Sequence, residues 1–218
     1  MNTTTSQNLG LNVHLAIAAG SLNKENHMNE EQLGLCYFDH FVLHLGAEPI
    51  AQYVFCPEDE GGSCIQILTF DGIFSGCRAF CSLGLSLYEE AVANLAEVIL
   101  LANSGWEYIP FVLANALFYM IENRMVLHRG TAIGGIGNIS PEFARRFGKQ
   151  AIYFAQPFGF PKGFGELVCN SKLGRVYLAC LISLSEYRYL QDKGTDQFEE
   201  MLERREVDVF DIERPSCI

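Results

Sequence analysis

The stretch Val176-Tyr-Leu-Ala-Cys-Leu-Ile-Ser-Leu-Ser-Glu186-Tyr-Arg-Tyr-Leu-Gln-Asp-Lys-Gly194-Thr-Asp-Gln-Phe-Glu-Glu-Met-Leu202 decides the fold class. Its apolar run from Val176 to Leu184 has the length of a buried strand and is too short to span a membrane. Glu186 to Lys193 reads as a helix, and Gly194 ends it. Asp196-x-x-Glu199 reads as a capping box that opens a last helix. Phe198, Met201 and Leu202 supply that helix with an apolar stripe. A buried strand that passes directly into two short helices points to α+β structure.

Upstream, Gly165–Cys169 and Ala151–Ala155 read as strands. Between them lies an aromatic loop, Pro157-Phe-Gly-Phe-Pro-Lys-Gly-Phe164. Ser140 is placed to cap a short turn of helix at Pro141-Glu142. Pro110 leads a helix to about Arg124, with Asn115, Tyr119 and Glu122 as its polar stripe. Val98–Ala102 is a short buried strand. Cys77–Leu85 is another, with Cys77, Ala79, Cys81 and Leu83 on one face. Cys64–Phe70 is expected to close at Asp71-Gly72, and Ile50–Cys56 at the acidic turn beginning with Pro57. A first helix runs from Asn29 or Glu30 to about Leu45, stopped by Gly46. Strands and helices are interspersed without strict βα alternation. The expectation is therefore a single α+β domain over residues 29–218, a mixed β-sheet flanked by α-helices. Residues 1–28 read as a polar extension, and Met28 is an alternative start.

The chain has 218 residues, about half of them hydrophobic, and a formal net charge of -11. Such a surface repels phosphate backbones and anionic lipid headgroups, which argues against nucleic acid or a membrane as partner. It suits a basic partner, because opposite charge speeds encounter. No Lys or Arg precedes Lys24, so the positive start of a secretory signal is missing and a cytoplasmic location is expected. The eight cysteines are scattered through apolar runs with no C-x-x-C. They are expected to be reduced thiols packed as small core residues.

Motifs that carry chemistry are sparse. Gly130-Thr-Ala-Ile-Gly-Gly-Ile-Gly-Asn138 matches neither G-x-G-x-x-G nor G-x-x-x-x-G-K-[ST], so a structural loop is the better reading. Gly84-Leu-Ser-Leu-Tyr88 lacks the second glycine of a nucleophile elbow. Cys36, His40 and His44 share one stripe of the first helix and could hold Zn²⁺, but the sequence nominates no fourth ligand. Cys77 and Cys81, four apart on a strand, lie roughly 13 Å apart at strand rise, too far for a disulfide. Phe158, Phe160 and Phe164 could stack on bases, yet only Lys162 accompanies them, so packing or partner contact is preferred. No catalytic, cofactor or metal residue is nominated, and a non-enzymatic role is expected. The alternative of a different class is a small hydrolase or transferase with a site near residues 130–164.

From Val176 to Leu202, the order of apolar strand, Glu-led helix, glycine and Leu-rich helix resembles the close of Suppressor-of-fused domains. Asn94-Leu-Ala-Glu97-Val-Ile-Leu-Leu-Ala, followed by Gly105-Trp106, resembles the family's strand and Trp segment. Pro110–Arg124, then His128-Arg-Gly130-Thr-Ala-Ile, resembles its next helix and Gly-rich exit. Asp208 to Pro215 resembles the short tail of bacterial members. The resemblance covers roughly Leu33–Pro215. It implies a protein-binding domain with no catalytic residues. The animal member sequesters a transcription factor, partly by adding the partner's peptide as a β-strand. Bacterial members are often read as immunity proteins or antitoxins against polymorphic toxins, nucleases included.

The expected function is thus an immunity-type protein that neutralises a cognate, basic toxin domain by occlusion. An intracellular regulator that sequesters another protein is the nearest alternative. Residues 186–213 carry ten acids against four bases. Glu199, Glu200 and Glu203 on the last helix are the candidate partner-binding residues.

Overall fold

The computed structural model describes residues 30–57, 62–74 and 76–218. The proposed extension over residues 1–28 and most of the acidic turn after Pro57 lie outside these. In chain order the elements are α1 (Glu30–Leu45), β1 (Ala51–Phe55), β2 (Ile65–Ile73), β3 (Cys77–Leu83), α2 (Glu89–Val92), β4 (Ala96–Ala102), α3 (Ile109–Glu122), β5 (Ala132–Gly134), α4 (Ile136–Ile139), α5 (Pro141–Phe147), β6 (Lys149–Ala155), β7 (Glu166–Cys169), β8 (Lys172–Ser183), α6 (Leu184–Lys193) and α7 (Thr195–Arg204).

One mixed sheet in the order β1-β2-β3-β4-β8-β6-β5 forms the middle layer, and β7 pairs with β8 beside that path. β8 is its spine. It runs parallel to β4, with Ile99 opposite Leu178, and antiparallel to β6, with Tyr153 opposite Cys180. The two-residue period sends its side chains into different cores. Val176, Leu178, Cys180 and Ile182 meet α1, α6 and α7 on one face. Tyr177, Ala179 and Leu181 meet α3, α4 and α5 on the other. A strand covered on both faces must be apolar at every position, which is why Val176–Ile182 lacks alternation.

The strand extends further back than the apolar run suggests. Asn170 and Ser171 both adopt positive φ, the geometry of a two-residue type I′ hairpin, and fold Lys172 against Cys169. β2 likewise runs through Asp71-Gly72 to Ile73. Gly72 sits at φ 72 where the register shifts, so it marks a bulge and not an end. The Gly-rich segment is partly regular, since it forms β5 and α4. Ser140 caps α5 as its type predicts, accepting from the Phe143 amide.

The helix α1 docks through Tyr37 and Phe41, both fully buried. The Tyr37 hydroxyl donates to the Leu95 carbonyl at 2.8 Å. A Cβ on Gly174 would stand 2.6 Å from that hydroxyl, so glycine is what lets the helix lie on β8. The expectation of eight free thiols is corrected here. Cys36 on α1 bridges to Cys169 on β7, with Cα atoms 6.1 Å apart, and Cys56 bridges to Cys64. Cys77, Cys81 and Cys180 do remain buried thiols, and Cys217 is partly buried. For Cys36 and Cys169 the reason is tertiary, since positions 133 apart in sequence meet only when α1 packs on the hairpin.

Candidate functional site

α7 is amphipathic. Phe198, Met201 and Leu202 anchor it to the sheet, which leaves Glu200 and Glu203 exposed and Glu199 half-buried. After Arg204 the chain reverses at Glu206, held at φ 52, and returns through Val207 and Val209. A cleft of about 540 Å³ opens between this return, α7 and the ends of β6 and β8. Tyr153, Ala155 and Cys180 reach it from the strands, Phe158 from the aromatic loop and Leu202 from α7. Its charges come from Arg129, Glu199, Glu203 and Glu206.

The capping box expected at Asp196-x-x-Glu199 does not form. Gly194 is the N-cap of α7, with no side-chain cap. Glu199 is half-buried and turned inward. Its Oε1 accepts from the Tyr153 hydroxyl at 2.5 Å, and its Oε2 from Arg129 Nε at 2.9 Å and Nη2 at 2.5 Å. Arg129 Nη2 also donates to Asp196 at 2.7 Å. These hydrogen bonds to Glu199 and Asp196 hold the guanidinium more firmly protonated. Burial, then the Glu199 carboxylate, pushes the Tyr153 phenol up, and burial pushes the Cys180 thiol to about 12. At neutral pH each group is therefore in its protonated form, suited to hydrogen bonding and packing.

The structure thus separates the three nominated carboxylates. Glu199 serves an internal network. Glu203 is exposed and lines the cleft, whereas Glu200 is exposed outside it. Glu206 joins Glu203, a neighbour that the helical pattern could not supply because it lies beyond the helix. Arg129 and Tyr153 also escape sequence reading, although Arg129 is the base next to Gly130 in an otherwise uncharged segment.

The helix stripe weighed as a Zn²⁺ site, and not nominated, is otherwise engaged. Cys36 is in a disulfide, and His40 Nε2 lies 2.8 Å from the Phe164 carbonyl with its ring stacked on Phe164. Among the described residues no group of three His, Cys, Asp or Glu side chains is placed to hold a metal ion. Nor is any described helix long and apolar enough to cross a membrane.

Comparisons with known proteins converge. The profile of the Suppressor of fused protein (SUFU) family matches residues 61–215. Immunity protein YqcF of Bacillus subtilis (strain 168) is 25% identical over 167 residues, which is 74% of this chain and 85% of that protein. The crystal structure of a SUFU homologue from Neisseria gonorrhoeae FA 1090 superposes with a TM-score of 0.66 at 13% identity, covering 87% of this chain and 96% of that one. A chain of the Sufu–Fu complex crystal structure superposes with a TM-score of 0.61 at 14% identity, covering 84% of this chain and 91% of that one.

Proposed function

This chain belongs to the Suppressor of fused family, and from that membership we propose that it acts by binding another protein, without catalysis. The partner is a toxin domain with a basic surface, neutralised by occlusion. The relationship to an immunity protein over most of both chains carries this reading. The charge of the molecule supports it. A nuclease toxin needs a positive surface to hold its phosphate substrate. An acidic face covers such a surface without chemistry and is steered to it by long-range attraction. The proposed contact is the outer side of α7. Glu203 and Glu206 meet the partner at the cleft, Glu200 at the rim, and Glu199 acts indirectly by neutralising Arg129.

The test is co-expression with a candidate toxin domain, then binding kinetics across a salt series. The expected result is rescued growth, with association that slows as salt rises. Absence of rescue would sink the immunity role. Rescue with salt-independent association would keep the role and remove the electrostatic mechanism.

A further inference from the structure

Three aromatic rings form a row that starts at the cleft with Phe158. Phe158, which lines the cleft, lies 5.7 Å from Phe210 with planes 17° apart. Phe210 lies 6.3 Å from Phe74 with planes 11° apart. Phe160 backs the row, edge-on to Phe74 at 4.9 Å. These rings come from three separate parts of the chain, the β2–β3 turn, the loop after β6 and the C-terminal return. Phe158 is 50% exposed and Phe74 38%. Phe74 also holds φ 40, a left-handed conformation that a bulky residue adopts rarely and at a cost. A glycine or asparagine would suit that backbone better, so local turn preference does not account for a phenylalanine there.

The cleft and the return supply carboxylates to this region, while the aromatic loop carries one base, Lys162. Glu203 and Glu206 line the cleft beside Phe158, and Asp208 precedes Phe210 and accepts from its amide at 3.0 Å. The cleft's own cation, Arg129, is already engaged by Glu199 and Asp196. A half-exposed ring in a cleft whose carboxylates Glu203 and Glu206 form no ion pair among the described residues suits a cationic side chain with a flat, weakly hydrated head. The ring attracts it through its quadrupole, and the carboxylates bond its N–H groups. A purely apolar occupant would leave Glu203 and Glu206 desolvated without a partner.

We propose that Phe158, with the carboxylates of Glu203 and Glu206 in the same cleft, forms a receptor for an arginine side chain of a basic protein partner. The proposal deepens the binding role above and rests on it for the identity of the partner. Its chemistry is testable without that partner.

The probe is a fluorescent hexa-arginine peptide, compared with the same peptide in citrulline, which keeps the shape and loses the charge. Anisotropy titrations use the full chain, with the thermal melt of each variant as a check on folding. The expected result is binding of the arginine peptide and none of the citrulline peptide at the same concentrations. Phe158→Leu, which keeps apolar bulk and loses the ring, should weaken binding about fivefold, and Phe158→Tyr should stay within about twofold. Phe74→Leu, outside the cleft, should stay within about twofold. If Phe158→Leu binds like the parent, the carboxylates alone hold the peptide and the aromatic receptor is overturned. Equal binding of citrulline and arginine overturns it as well. Peptide binding without growth rescue would refute the immunity role alone. Rescue that persists with unaltered peptide affinity in Phe158→Leu would refute the receptor alone.

Discussion

Arg214 and Glu186 form a buried two-point ion pair, Nη1 to Oε1 at 2.6 Å and Nη2 to Oε2 at 3.1 Å, which docks the C-terminal tail on the start of α6. The same carboxylate accepts from the amides of Ser183 and Cys217. Glu186 is thus both the return half of a capping box and the anchor of the tail.

Burial pushes the Glu186 carboxyl up, but Arg214 and the two amides outweigh it and hold the group at about 2, below its ordinary 4.5. A depressed carboxylate contributes stability that is complete above 4.5 and lost as pH falls toward 2. The size is about 3 kcal/mol. Urea denaturation of the parent and Glu186→Gln between pH 6 and 2.5 should show a gap that closes with acid. A gap that stays constant would contradict the assignment.

Lys149 is buried at the same junction and donates to the Arg214 carbonyl at 2.6 Å. Burial, then the charge of Arg214, lowers its ammonium to about 8. A base depressed on folding disfavours the folded state at low pH, and the penalty is relieved as pH rises from about 8 toward 10.5. Stability relative to Lys149→Met should therefore rise between pH 7.5 and 9.5. A parallel pair of pH profiles would refute this.

Glu97 is fully buried in β4 and accepts five hydrogen bonds, from the hydroxyls of Ser82 and Ser86 and the amides of Gly84, Leu85 and Ser86. It pins the turn after β3 to the centre of the sheet. Glu97→Gln keeps the shape but turns an NH₂ toward donors. The expected loss is about 2–4 kcal/mol in urea unfolding at neutral pH. A loss below about 1 kcal/mol would show that the turn does not depend on this carboxylate.

The Tyr153 hydroxyl and Arg129 converge on Glu199 from residues 46 and 70 positions away. Tyr153→Phe should lower stability by about 1 kcal/mol in the parent and by almost nothing in Glu199→Ala, which lacks the acceptor. Equal effects in both backgrounds would mean the contact carries no energy.

Without reductant, the denatured protein should titrate four thiols, Cys77, Cys81, Cys180 and Cys217, and eight after reduction. Cys36→Ala should cost about 2–4 kcal/mol in the oxidised protein and much less in the reduced one. Eight thiols before reduction would remove both bridges.

Much of the fold is legible in short windows. Leu33, Tyr37 and Phe41 recur at helical spacing, and the helix occupies Glu30–Leu45 with Gly46 at φ 64 after it. The two-residue face of Ala79, Cys81 and Leu83 packs into one core while Phe80 faces the other. Helical and strand periods, glycine stops and the cap at Ser140 arise from contacts within a few residues, so they are written locally. The strand from Lys172 was less visible, because Lys172 to Gly174 resemble a loop and become strand only by pairing with β7.

The sequence alone determined the α+β class, most elements, the acidic character and the resemblance to the Suppressor of fused family, since each depends on local pattern or on composition. Only the tertiary structure decided which carboxylates are free. Glu199 and Glu203 are one helical turn apart, yet one is taken by Arg129 and Tyr153 and the other lines the cleft. The pairing of Cys36 with Cys169 and the row of Phe74, Phe210 and Phe158 are of the same kind. Burial, pairing and stacking act over a few ångströms in space, and side chains that close together are brought there by the packing of the whole sheet.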